Sequence, residues 1–179
     1  MPPTLETARL TLRTLRPDDA EAVWDLARDR AIADSTSTVP HPYERHVADD
    51  FIAARTAPGA EDALVLWAVI RRADDRLLGV ISLALDGALD GAELGYWTGV
   101  PYWGQGFTTE AALAVLGHAF GAGALATVWS THVARNVPSH RVMEKAGMRR
   151  EGILRRRFRR WAGLEDLCQH SILHEEWRS

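Results

Sequence analysis

Two glycines one residue apart offer the first chemistry in this chain. The stretch Pro101-Tyr102-Trp103-Gly104-Gln105-Gly106-Phe107-Thr108-Thr109-Glu110 joins an alternating apolar segment, Ala92 to Thr98, to an apolar-periodic run, Ala111 to Phe120. It reads as strand, glycine loop and helix. Gly104 and Gly106 reach backbone conformations closed to residues with a Cβ, so successive N–H groups can converge at the helix mouth, where backbone donors lack partners. Such a point binds an anion, most naturally a phosphate. There is no third glycine for G-x-G-x-x-G and no G-K-[ST] ending for a P-loop. Backbone amides would therefore do most of the holding, with Gln105, Thr108 and Thr109 as the nearest side-chain donors. Glu110 suits the dipole of the first helical turn, yet it repels a phosphate placed too near. Taken alone, a glycine pair after a strand also fits a turn with no ligand.

Other reactive residue types are sparse. Cys168 is the only cysteine, so the chain has no internal disulfide framework and no cysteine-cluster metal site. Its setting, Asp166-Leu167-Cys168-Gln169-His170-Ser171-Ile172, alternates like a strand and predicts a buried, inert thiol. The seven histidines, His41, His46, His118, His132, His140, His170 and His174, show no H-E-x-x-H spacing, so no metal is expected.

The loop needs elements to hold it. Arg9 to Leu15 alternates strictly as a first strand, and Pro17-Asp18-Asp19 starts a helix over Ala20 to Arg28 with Ala20, Val23, Trp24 and Ala27 on one face. Asp34 to Pro42, rich in Ser, Thr and Pro, is expected as a pocket-shaping loop. A second helix runs from about Glu44 to Arg55, burying Val47, Phe51 and Ile52, and Ala57-Pro58-Gly59 closes it. Leu64 to Ile70 is apolar enough for a strand covered on both faces, Arg71 to Arg76 turns, and Leu77 to Leu85 returns. The pairs Asp86-Gly87 and Asp90-Gly91 lead into Ala92 to Thr98, completing an antiparallel meander. After the loop, a helix to Phe120 buries Ala112, Val115, Leu116, Ala119 and Phe120 and ends at Gly121 and Gly123. Leu125 to Val133 is the next strand. Asn136 caps a helix with Pro138 in its first turn, and Gly147 closes it. Met148 to Ile153, a charged stretch Arg155 to Arg160, a turn at Trp161-Ala162-Gly163 and a strand from Glu165 to His174 finish the chain. The order β-α-α-β-β-β-α-β-α-β-β describes an α/β sheet and one domain over residues 1–179.

Bulk properties narrow the classes. At 179 residues, 46% hydrophobic and 25% charged, the chain has the composition of a soluble globular domain. Its net charge of −3 argues against a general nucleic-acid binder. No run is apolar enough to span a bilayer, and the amino terminus carries no signal-peptide pattern, so the expected location is cytoplasmic.

Three motifs in series carry a resemblance. Glu93-Leu94-Gly95-Tyr96-Trp97, then Trp103-Gly104-Gln105-Gly106-Phe107-Thr108-Thr109-Glu110-Ala111, then Asn136-Val137-Pro138-Ser139 with Val142 to Met148 and Glu151-Gly152 resemble the GCN5-related N-acetyltransferases (GNATs). More narrowly, they resemble the RimJ/RimL-type branch. The resemblance runs from Thr7-Ala8-Arg9 to Glu175-Glu176-Trp177. It implies a mixed, mostly antiparallel seven-stranded sheet flanked by about four helices, with a V-shaped split between the strands at Ala92–Thr98 and Leu125–Val133. It implies acetyl-CoA as donor, with its pyrophosphate on the amides of Gly104, Gln105, Gly106, Phe107, Thr108 and Thr109, and its pantetheine along Tyr96, Trp97 and Thr98. Pro101 stands where the wider superfamily carries Gln or Arg, as in many RimJ/RimL-like sequences, and binding through loop shape survives that change.

The same resemblance distributes roles. Acetyl transfer needs a neutral amine, stabilisation of a tetrahedral oxyanion, and a proton for the departing thiolate. Ser139 would meet the sulfur as acid and Asn136 would hydrogen-bond the pantetheine, both residues also being natural helix-capping positions. Glu93 is the first candidate base, on the strand that the pantetheine contacts, against an exposed strand carboxylate with no such role. Asp166, His132 and a water chain are the alternatives. The backbone N–H following Tyr96 or Trp97 would receive the oxyanion. The expected reaction is acetylation of a primary amine, either a protein N-terminus such as that of a ribosomal protein or a small molecule, by direct transfer through a ternary complex. A non-catalytic CoA-binding sensor or scaffold has the same motifs. The Arg155 to Arg160 run suits a solvated edge or an acidic partner more than DNA, and a homodimer is common in this branch. The acceptor pocket is expected from Asp34 to Pro42, the second helix and the Arg155 to Gly163 turn.

Overall fold

A computed structural model describes residues 2–57, 64–121, 125–161 and 163–177. Eight strands form one sheet: β1 (Leu5–Glu6), β2 (Leu10–Arg13), β3 (Leu64–Arg71), β4 (Arg76–Asp86), β5 (Gly91–Thr98), β6 (Thr127–Val133), β7 (Arg149–Arg160) and β8 (Gly163–Leu173). Their order across the sheet is β1-β2-β3-β4-β5-β6-β8-β7, and only the β5–β6 pair is parallel. Five helices accompany them: α1 (Ala20–Ala27), α2 (Arg30–Ser35), α3 (Arg45–Thr56), α4 (Phe107–Gly121) and α5 (Val137–Lys145). Among the described residues no helix is long and apolar enough to cross a membrane.

The expected count of seven strands becomes eight, and four helices become five. The additional strand is β1, a two-residue pairing of Leu5 and Glu6 with Leu12 and Thr11 that is too short for periodicity to reveal. The additional helix is α2, only a turn and a half long, whose N-cap Asp29 accepts from the Ala31 amide at 2.9 Å. It shortens the expected loop from its Asp34 end. The charged stretch Arg155 to Arg160 continues the strand expected over Met148 to Ile153 as part of β7, whose register shifts between Leu154 and Phe158 with Arg156 at a φ of +52°. Pro58, Gly59, Gly123 and Ala162, expected at turns, lie outside the described residues.

Alternation along the central strands builds a core on each face. Trp67, Val69, Leu83 and Leu94 pack beneath α4 and α5 with Leu116 and Met143. Ala68, Ile70 and Val80 pack beneath α1, α2 and α3 with Val23, Ile32 and Ile52. β3 is thus covered on both sides, as its continuous apolar run predicts.

The sheet opens where β5 leaves β6. The two strands pair only through Gly91–Thr127, Ala92–Val128 and Glu93–Trp129. Beyond that point β5 stays with β4 as far as Thr98, and β6 stays with β8 as far as Val133, so each is held by its outer neighbour and they diverge. Gly91 permits the close approach at the base of this V, since a Cβ there would come within 2.8 Å of the Thr127 and Trp129 side chains.

Candidate active site

Divergence strips β5 of hydrogen-bond partners on one edge. The first freed carbonyl, that of Leu94, is taken by the buried Ser130 hydroxyl at 2.7 Å, which pins the apex of the split. Hydrogen-bonding direction alternates along a strand. Leu94 faces β6, the Trp97 carbonyl lies against Gly79 of β4, and the Gly99 amide donates to Leu78 at 2.8 Å. The amides of Tyr96 and Thr98 and the Tyr96 carbonyl therefore face the gap, while the Thr98 carbonyl accepts from the Trp103 indole. Of the two amides left open by sequence, Trp97 turns away and Thr98 turns in.

The glycine loop lies beside this free edge. Gly104 and Gly106 adopt φ of +74° and +80°, where a side chain is strained. The first hydrogen bond of α4 runs from the Glu110 amide to the Gly106 carbonyl at 3.0 Å, leaving the amides of Phe107, Thr108 and Thr109 without intrahelical partners. Thr98 and Thr108 share a hydroxyl hydrogen bond of 2.9 Å, joining strand end to helix start. Gln105 turns back instead, its amide nitrogen donating to the Pro101 carbonyl at 2.9 Å. Phe107 is buried in the core, so its side chain anchors the loop. Trp97 likewise packs with the core beneath α1 to α3.

Glu110 is restrained by the opposite end of the chain. Its carboxylate accepts from the Thr7 hydroxyl at 2.6 Å, the Arg9 amide at 2.9 Å and the Arg9 guanidinium at 2.6 Å. Burial alone would raise its pKa, but these donors together outweigh burial and hold it below the usual range. Arg9 also donates to the Gln105 carbonyl at 3.0 Å and stacks on Phe107 at 4.5 Å. The repulsion that Glu110 would exert on an anion is thereby largely neutralised. Nothing local in the sequence signals Arg9, because it meets the loop across nearly a hundred residues.

Ser139 sits in the first turn of α5, where its amide donates to the Asn136 side-chain oxygen at 3.1 Å. Asn136 is the N-cap, and its amide nitrogen donates to the Ser35 carbonyl at 3.2 Å, tying α5 to the end of α2. The Ser139 hydroxyl lies 2.7 Å from the Tyr96 hydroxyl, and either can donate. Burial pushes the Tyr96 phenol up to about 12, against a smaller opposing effect of the Ser139 hydrogen bond. The pair therefore carries its protons throughout the neutral range.

The V opens into a cleft of about 420 Å³ lined by Glu93, Tyr96, Ser139 and, on the far side, Tyr43, Phe51 and Arg55. Glu93 accepts from the Thr131 hydroxyl at 3.1 Å across the split. Ser35 to Pro40 and α3 contribute walls, as expected of that loop and helix. None of the described residues from Arg155 to Gly163 lines the cleft; the Trp161 indole donates to Asp34 on α2 at 2.6 Å, and Arg160 donates to the Val39 carbonyl of the loop at 3.1 Å. Asp166 is engaged elsewhere, accepting from the bulged Arg156 amide at 2.7 Å. His132 is buried with its Nδ1 on the Val133 carbonyl at 2.8 Å, and burial lowers its pKa. The fold also gathers His132, His140 and His170, which no sequence spacing connects.

A split sheet with a free β5 edge, a left-handed glycine loop at a helix mouth and a hydroxyl on α5 is the architecture of an acyltransferase that uses a CoA thioester, and residues 9–149 match the acetyltransferase (GNAT) domain family. The chain belongs to that family. It is 29% identical over 174 residues to the uncharacterized N-acetyltransferase YnaD of Bacillus subtilis, covering 97% of this chain and 98% of YnaD. Among solved structures, the GNAT-family acetyltransferase from Bacillus anthracis superposes with a TM-score of 0.86 at 26% identity, covering 97% of this chain and 99% of that one. RimL, described as a ribosomal L7/L12 alpha-N-protein acetyltransferase in complex with coenzyme A, has a TM-score of 0.86 at 15% identity, covering 96% of this chain and 98% of its own.

Proposed function

We propose that this chain transfers the acetyl group of acetyl-CoA to a primary amine directly, within a ternary complex. The observation that carries the proposal is the Tyr96–Ser139 hydroxyl pair at 2.7 Å beside the free edge of β5. Acetyl-CoA supplies an activated acyl group on a thiol that leaves readily. The left-handed turns at Gly104 and Gly106 and the free amides of α4 suit its pyrophosphate. The Tyr96 and Thr98 edge suits the amide-bearing arm, which would extend β5 in place of β6.

Ser139 then donates its hydroxyl proton to the departing sulfur as Tyr96 passes its own proton to Ser139. Tyr96 regains a proton from water in the cleft, which in turn takes the amine proton from Glu93, so that amine and thioester become amide and thiol with no net charge left on the pair. The Thr98 amide, turned to the gap, donates to the oxyanion. Glu93 faces the cleft from the opposite side and takes the proton of the attacking amine, directly or through one water. Donor and acceptor would thus approach from opposite faces of the sheet and meet in the V. The cleft's aromatic and hydroxyl lining fits either an extended protein N-terminus, the substrate type in RimL's name, or a small-molecule amine.

The test is a panel of N-terminal peptides and small amines with acetyl-CoA, followed by CoA release. Turnover is expected for at least one class, and Ser139→Ala should lower kcat roughly 10²-fold or more with the acetyl-CoA KM nearly unchanged. A CoA-induced Tm rise without turnover across the panel would instead support a non-catalytic CoA-binding protein.

A further inference from the structure

At the cleft wall, to which His132 contributes, three imidazoles converge from different elements: His132 on β6, His140 on α5 and His170 on β8. Each offers one ring nitrogen, and these atoms all lie within 4.8 Å of one another. Ring centroids are separated by 5.8, 5.3 and 5.0 Å. Imidazoles bound tetrahedrally at about 2.0–2.1 Å place their centroids roughly 5 Å apart and their ligand nitrogens roughly 3.3 Å apart, so the rings have the centroid spacing of a bound set and their nitrogens need only draw together on an ion.

The proton inventory points the same way. The His132 Nδ1 lies 2.8 Å from the Val133 carbonyl, which only an N–H can satisfy, and this leaves Nε2 as a bare lone pair. That Nε2 is buried with no hydrogen-bond partner, in a residue only 6% exposed. A buried acceptor with no donor is costly unless something electrophilic occupies the space before it. The His140 Nδ1 and His170 Nε2 face one another at 3.0 Å and can share only one proton. Were that proton moved outward, His140 would carry it on Nε2, 3.4 Å from the Glu144 carboxylate. A backbone carbonyl behind one ligand and a carboxylate behind another are the partners that metal-bound histidines use to fix their tautomers.

We propose that His132, His140 and His170 form a three-imidazole site for a divalent transition metal of the zinc class. Imidazole suits Zn²⁺, Cu²⁺ and Ni²⁺ and excludes Mg²⁺ and Ca²⁺, which take oxygen ligands. His140, partly exposed on α5, provides the entry side. A bound ion would staple α5 to β6 and β8 one residue beyond Ser139, holding the hydroxyl in register with Tyr96.

The untagged chain, stripped with a chelator, is titrated with Co²⁺ and followed by its visible ligand-field absorption. One equivalent should bind, and Zn²⁺ should displace it. At free Zn²⁺ about a hundredfold above Kd, the Tm should rise by roughly 5–10 °C, and a chelator should reverse the rise. His140→Ala, a helix-surface change checked by circular dichroism, should abolish both signals. Crystals of the unmodified chain grown with Zn²⁺ add a readout independent of any variant, an anomalous peak among the three rings. Absence of stoichiometric Co²⁺ binding, binding unaltered in His140→Ala, or a zinc peak elsewhere would overturn the site.

Discussion

At the residue scale, the proposed chemistry depends on two hydroxyls held by packing. Tyr96 and Ser139 come from a strand and a helix 43 positions apart, and their hydroxyls meet at 2.7 Å, joining β5 to α5. Tyr96→Phe keeps the ring in the core and removes only the proton relay. Steady-state kinetics should show kcat reduced by less than in Ser139→Ala, with a stability loss of only about 1 kcal/mol. An equal kcat in Tyr96→Phe and the unmodified chain would remove the relay and leave Tyr96 as a packing residue. Ser139 and Glu93 could be named from the motifs, because the family resemblance fixes them on an ordered pattern. The Tyr96 hydroxyl as partner of Ser139 was not legible, since no spacing in the sequence measures a distance between β5 and α5.

At the scale of elements, the glycine loop works as a unit with the amino-terminal segment. Valine at a left-handed φ costs about 1–2 kcal/mol or forces the loop out of shape. Gly104→Val and Gly106→Val should therefore raise the acetyl-CoA KM roughly tenfold with a smaller change in kcat. Normal kinetics in both would detach the loop from donor binding. Glu110 supplies the pH dependence. Its folded pKa lies below the ordinary value of about 4.3, so its stabilisation is complete above that value and is lost as pH falls through the folded pKa. Glu110→Gln should lower Tm at pH 7, and the difference should shrink as pH falls below the ordinary carboxylate value and through the lowered folded pKa. A Tm difference independent of pH would mean that the Thr7 and Arg9 contacts contribute nothing through charge. The loop was legible because glycine spacing encodes backbone conformation locally; the Arg9 clamp was not, because a long-range ion pair leaves no periodic trace.

At the scale of the whole molecule, one sheet separates two cores and one split reconnects its two sides. β3, β4 and β5 contribute alternate residues to both cores, so neither core can dissolve without unpairing the same strands. Urea unfolding followed by tryptophan fluorescence and by far-UV circular dichroism should give coincident transitions. Leu116→Ala beneath α4 and Ile52→Ala beneath α3 should each cost about 2–5 kcal/mol and move that one transition. Two separable transitions would show that the cores fold independently. The chain order of the elements and the β3–β4–β5 meander were readable from alternation and turn residues, whereas β1 and α2 were too short to register and β7 was read only over Met148 to Ile153, short of its arginine-rich half.

Sequence alone determined the pieces whose signal is local: the alternating strands, the apolar faces of α1, α3 and α4, the left-handed glycines, the Asn136 cap and the ordered motifs that place the chain among GNAT acetyltransferases. Local signals suffice there because backbone conformation and one-sided burial are set by residues within a few positions of each other. Only the tertiary structure decided which groups meet: Tyr96 with Ser139, Arg9 with the glycine loop, Ser130 with Leu94 at the apex of the V, and the three histidines with one another. Those contacts arise where strands distant in sequence diverge or pack, and the loop first read as a phosphate cradle acquires its role from the free strand edge that the split sets beside it.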